Sequence, residues 1–80
     1  MIKTHEIDLT ASKFNKLLET DYTVLKQENY EQNDYILFRE TEVVEEETNY
    51  TSKSQLTQIK QIILDDGIKD GYILAVLNKI

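Results

Sequence analysis

At 80 residues, with no cysteine, proline or tryptophan, the chain has room for one core and no second domain. The missing cysteines exclude a disulfide scaffold, a thiolate zinc site, an iron–sulfur cluster and a cysteine nucleophile, and a single histidine excludes a polyhistidine metal site. No apolar run approaches the roughly 20 residues that span a bilayer, and the first residues carry no apolar signal-peptide core. A soluble, cytoplasmic domain with no membrane partner, metal or cofactor is therefore expected.

The formal net charge of −6 weighs against nucleic acid, because phosphate binding depends on lysines and arginines displacing counterions. The acidity is local, however. Residues 28–49 carry eight acidic side chains and one basic one, Arg39, whereas the other 58 residues carry seven acidic and eight basic. The acidic segment reads first as a solvated loop that keeps the protein soluble. A basic face built from Lys3, Lys13, Lys16, Lys26, Lys53 and Lys60 remains open.

Along the chain, residues 3–9 alternate, with Lys3, His5, Ile7 and Leu9 on one face, and this period of two predicts a strand. Thr10 offers a hydroxyl cap to a helix over residues 11–19. Phe14, Leu17 and Leu18 form its apolar face, and Lys13 and Lys16 sit beside that face at the solvent boundary. Residues 22–26 are β-branched and aromatic enough for a second strand. Residues 28–34, with Asn29 and Asn33, read as a turn region. Residues 35–40 make a third strand that runs on toward Val44, either buried on both faces or packed on one face under the helix.

Residues 45–54 read as a polar loop. Residues 55–64 fit two patterns: a capping box from Ser52 to Gln55 with a Leu56, Ile59, Ile63 helical stripe, or a strand carrying Thr57, Ile59, Gln61 and Ile63 on one face. Asp65-Asp66-Gly67 and Asp70-Gly71 are turn signals that place glycines where positive φ is needed. Tyr72 opens a final strand over residues 72–77, its ring on the core and its hydroxyl at the rim. The order predicts an α+β domain in which a curled sheet packs against one helix.

Three stretches carry a resemblance: Lys3-Thr4-His5-Glu6-Ile7, Asn33-Asp34-Tyr35-Ile36-Leu37-Phe38-Arg39-Glu40, and Gly67-Ile68-Lys69-Asp70-Gly71-Tyr72-Ile73-Leu74. In order and spacing they resemble the small bacterial and phage branch of the ASCH domain, named for homology to activating signal cointegrator, and span nearly the whole chain. The resemblance implies a small PUA-like β-barrel with a helix after the first strand, and so makes residues 55–64 a strand. It also implies RNA binding in a cleft beside the helix, and some small relatives are assigned amidohydrolase chemistry on modified cytidine. Both roles lean on a family signature of roughly Gly-x-Lys-x-x-Glu-x-Arg after the helix. Here Leu18, Thr20, Thr23 and Leu25 stand at those four places. A hydrolase would need the lysine and the glutamate within reach of the attacked carbon, so no catalytic residue is expected.

The function expected from this resemblance is a non-enzymatic RNA-binding module, with its cleft between the helix and the second strand. Candidate contacts are His5, Lys16, Lys26 and Arg39; Tyr30 and Tyr50, in polar segments, are candidates for stacking on bases. Lys26 would stand in for the family arginine, although an ammonium does not reproduce a bidentate guanidinium. Phe14, Phe38 and Tyr72 read as core, and His5 reads equally as a hydrogen-bonded residue at the core's edge. The alternative is a protein-interaction domain that has lost the nucleic-acid site and offers acidic residues 40–47 to a basic partner. Glycines occur only at positions 67 and 71, which leaves no phosphate-cradling loop, and neither Asp65-Asp66 nor Glu45-Glu46-Glu47 has calcium-loop spacing.

Overall fold

A computed structural model of the chain describes residues 1–64 and 67–80. The elements run β1 (Thr4–Thr10), α1 (Ala11–Glu19), β2 (Tyr22–Lys26), β3 (Tyr35–Val44), β4 (Glu47–Ile63) and β5 (Tyr72–Lys79). The Asp65-Asp66 part of the predicted turn lies outside the described residues. Among the described residues, no helix is long and apolar enough to cross a membrane.

The strands form one mixed sheet in the order β1-β3-β4-β5-β2. β1 lies parallel to β3, with Ile7 opposite Phe38, and the other pairings are antiparallel. The predicted barrel is therefore not closed: β1 and β2 are the two edges, and neither pairs with the other. α1 packs on β1 and β3. Phe14 and Leu17 of α1, Leu25, Ile36, Phe38, Ile59, Ile73, Ala75 and Leu77 form the buried core, and Ile7, Leu9, Tyr30 and Ile62 pack against it. On β3, Ile36 and Phe38 are wholly buried while Tyr35, Leu37 and Arg39 are half-buried, so the strand lies with one face under the helix.

Several local readings change. Thr10 is the residue before α1, but its side chain makes no cap hydrogen bond. Residues 45–54 are not a loop. β3 and β4 form a hairpin closed at Glu45 and Glu46, whose φ values of 51° and 68° are those of a two-residue turn with both central residues left-handed. Glycine or asparagine would adopt that conformation with less strain, which is why the turn escapes a sequence reading. Residues 42–50 are exposed throughout, so the distal hairpin is a ribbon with solvent on both faces. Gly71, at φ +84°, ends the turn before β5, and its carbonyl accepts a 2.7 Å hydrogen bond from the Gln27 amide at the end of β2. Tyr72 is half-buried, with the Lys69 ammonium 5.5 Å from its ring centre, and lies outside the core cluster.

Two members of the acidic segment are not solvated. Asp34 is 1% exposed and Glu40 is 5% exposed. The Glu40 carboxylate accepts a 2.6 Å hydrogen bond from the Thr51 hydroxyl, next to a bulge where Ser52 adopts φ 73°.

Candidate nucleic-acid interface

The unpaired edges β1 and β2 leave a seam with a pocket at each end. The first is the predicted cleft between α1 and β2. It has a volume of about 290 Å³, an apolar floor that includes Leu9, Leu17, Val24 and Leu25, and Lys13, Lys16 and Tyr22 also line it. The helix period explains the two lysines: positions 13 and 16 lie on one side of α1, flanking the Phe14 and Leu17 stripe that holds the helix to the sheet. Among the described residues, no acidic side chain lines this cleft.

The second pocket, about 440 Å³ and wide open, is lined by Lys3 and His5 from the start of β1 and by Glu28 and Asn29 just beyond β2. Its rear support is Asp34. One carboxylate oxygen accepts the Lys3 amide at 3.0 Å; the other contacts His5 Nε2 at 2.8 Å and accepts the Glu31 amide at 3.1 Å. The Asp34 backbone carbonyl accepts the Ile59 amide, which ties the same residue to β4. Burial pushes the Asp34 carboxyl up, but the hydrogen bonds from His5, Lys3 and Glu31 outweigh it and hold it at about 2, against an ordinary 3.8. Asp34 is therefore ionised at neutral pH, so His5 Nε2 carries a hydrogen and donates it to the carboxylate, and whenever the ring is neutral its lone pair lies on Nδ1. The Lys3 ammonium donates to the Asn29 carbonyl at 2.7 Å and closes one side of the pocket.

Tyr30 leans on His5, ring centres 4.6 Å apart and planes tilted by 59°. Burial, and secondarily the Glu28 charge, raise its hydroxyl above the ordinary tyrosine value, so the phenol stays protonated. Tyr30 is thus a half-buried neighbour of the core and not the free loop aromatic that its polar surroundings imply.

The six sequence candidates fall into four places. Lys16 lines the cleft; His5 and Tyr30 meet at the opposite pocket. Lys26 ends β2 opposite Tyr72, exposed, and does not line the cleft. Arg39 and Tyr50 stand together on the other face of the sheet. Arg39 is 3.3 Å from Glu6 and 3.5 Å from Asp8, its guanidinium carbon lies 4.6 Å from the Tyr50 ring centre, and the Tyr50 hydroxyl donates to Asp8 at 3.0 Å. That Asp8 hydrogen bond raises the Tyr50 hydroxyl above its ordinary value. With two carboxylates against one guanidinium, this cluster offers no net positive charge to a phosphate.

Sequence reasoning left out Asp34 as the partner of His5, because the two are 29 positions apart and only the parallel β1–β3 pairing brings them together. Lys13 could have been added to Lys16 from the helix period alone. Among the described residues, no three His, Asp or Glu side chains gather to hold a metal ion. No known protein family matches the sequence, and no curated protein matches it.

Proposed function

We propose that this chain is an ASCH-type, PUA-like domain that binds single-stranded RNA in the cleft between α1 and β2. On this reading the sheet is a PUA-like barrel left open between β1 and β2 and plugged by α1. The observation that carries it is the charge of the cleft. In a chain of net charge −6, Lys13 and Lys16 stand over an apolar floor with no acidic side chain among the described residues that line it. Two ammonium groups at the rim suit a phosphodiester backbone, and the apolar floor with Tyr22 at its edge suits an unstacked base. Lys16 is the sequence candidate that takes part here; Lys13 and Tyr22 join it, while Arg39 and Tyr50 face the other way.

The test is fluorescence anisotropy with short labelled RNAs at low and at moderate salt. Binding at low salt that weakens as salt rises is expected, and the double variant Lys13→Glu, Lys16→Glu should lower affinity by about tenfold or more. Absence of binding at low salt, where the phosphate contribution is strongest, would overturn the proposal.

A second reading rests on the hairpin. Glu42, Glu45, Glu46 and Glu47 project on a ribbon exposed on both faces, beside Val43 and Val44 at 71% and 49% exposure. A protein-interaction domain would offer this ribbon to a basic partner, although the buried Glu40 takes no part in it. Retention of RNA by the wild-type chain and its loss in the double lysine variant separates the two readings.

A further inference from the structure

The pocket at the His5 end of the seam differs in chemistry from the lysine cleft. Apart from Lys3, its polar side chains are acceptors or mixed groups: the Glu28 carboxylate, the Asn29 amide and the His5 ring, whose Nε2 is already engaged with Asp34 and leaves Nδ1 as the nitrogen that accepts in the neutral tautomer. Its one ammonium, on Lys3, is already tied to the Asn29 carbonyl. Such a lining suits a base edge better than a phosphate. Both pockets bridge the same two unpaired edges. The cleft takes Leu9 from β1 and much of β2, and this pocket takes His5 from β1 and the residues just after β2. His5 and Leu9 share one face of β1 four residues apart, about 13 Å. An extended single strand crosses that span in roughly two or three nucleotides.

We propose that the pocket formed by His5, Glu28 and Asn29 is a base-reading subsite on the same RNA path, selective for a base that presents an exocyclic amino group. The inference rests on RNA binding at the lysine cleft and adds to it a position for one unpaired base. Cytosine and uracil have nearly the same shape. At ring position 4, cytosine carries an amino donor where uracil carries a carbonyl acceptor. The amino group meets Glu28 or the His5 lone pair favourably, whereas the uracil carbonyl would face the same two groups as acceptors and gain no hydrogen bond from either. Asp34 is a positioning residue in this scheme: through the 2.8 Å contact at Nε2 it sets which ring nitrogen of His5 is the acceptor. The tilted Tyr30 ring fixes the plane of the imidazole from the side.

The experiment compares labelled oligo(C) and oligo(U) of equal length against the full chain by anisotropy, at neutral pH and low salt. Oligo(C) is expected to bind about tenfold more tightly, the size of one charge-assisted hydrogen bond. The ratio should fall close to one in His5→Ala and in Glu28→Ala. Glu28 is exposed and carries no core contact, so the second variant reads the ratio even where loss of His5 unsettles the Asp34 cluster. Equal affinity of the wild-type chain for the two RNAs, or a preference for oligo(C) that survives both substitutions, overturns the subsite and leaves the lysine cleft standing. Failure of both RNAs to bind overturns the subsite together with the RNA reading on which it rests.

Discussion

Replacement of Asp34 by alanine is expected to lower the unfolding free energy by about 3 kcal/mol, read from urea denaturation. The carboxylate is 1% exposed and accepts from two backbone amides and one imidazole. Its removal strands three donors at once, at roughly 1–3 kcal/mol for each buried donor left unpaired, and water reaches part of the site through the open pocket. Against a total stability of roughly 4–12 kcal/mol for a domain of this size, that is a large fraction. The same residue sets an acid response. Its folded pKa of about 2 lies below the ordinary 3.8, so its stabilisation is complete above the ordinary value and is lost as pH falls through the folded one. Wild-type protein should therefore lose about 2 kcal/mol across that interval. Asp34→Asn, which cannot titrate, should lack that share of the loss. Parallel acid profiles for the two proteins would show that the carboxylate is not held by these bonds.

Phe14→Ala should cost about 4 kcal/mol and weaken the proposed RNA binding with it. Phe14 is 2% exposed and Leu17 3%, and these two side chains are the buried anchors of a nine-residue helix. A helix that short has little stability of its own and is held by packing. The truncation leaves a cavity under the element that carries Lys13 and Lys16, so the ammonium groups lose their fixed spacing across from β2. Phe14→Leu fills most of the volume and should recover most of both losses. A chain that unfolds within about 1 kcal/mol of wild type after Phe14→Ala would mean that α1 is not seated as described.

Much of this architecture is legible in the order of residues, and the exceptions have physical reasons. β1 and α1 each turn one face inward and the other to water, so their periods of 2 and 3.6 survive in the sequence, while β2 and β3 are legible from their β-branched, aromatic and apolar residues. Residues 47–54 bury almost nothing, and a ribbon wet on both faces writes no period at all. Residues 55–64 form a strand whose face alternation is broken by a bulge. Ile59 pairs with Leu77 and Gln61 with Val76, so Lys60 is an extra residue. The core face runs Thr57, Ile59 and Ile62 in place of the even series Thr57, Ile59, Gln61 and Ile63. At the candidate interface, the place of Lys16 beside the apolar face of α1 follows from local pattern, whereas a cleft between the helix and the second strand is expected only from the family resemblance. The His5–Asp34 pair follows from neither, since it depends on which strand lies beside β1. Arg39 and Tyr50 stand apart from the cleft for the converse reason: charge and aromaticity are visible in a sequence, but the face of a sheet they occupy is a matter of register.

The topology also has a consequence for the order of assembly. β3, β4 and β5 are neighbours in sequence and form an antiparallel meander, its first turn only two residues long. β1 must wait for β3, with Thr4 and Tyr35 separated by 31 positions, and β2 for β5, with Tyr22 and Val76 separated by 54. Loop closure over such distances is costly before it is rewarded, so the meander forms early and the two flanking strands dock late. Native-state hydrogen exchange should accordingly find β1 and β2 amides opening at lower free energy than those of Ile36, Phe38, Ile59 and Ala75. The strip proposed to bind RNA is then the last part of the molecule to form and the first to loosen, and a bound strand bridging both flanks would act as its clasp.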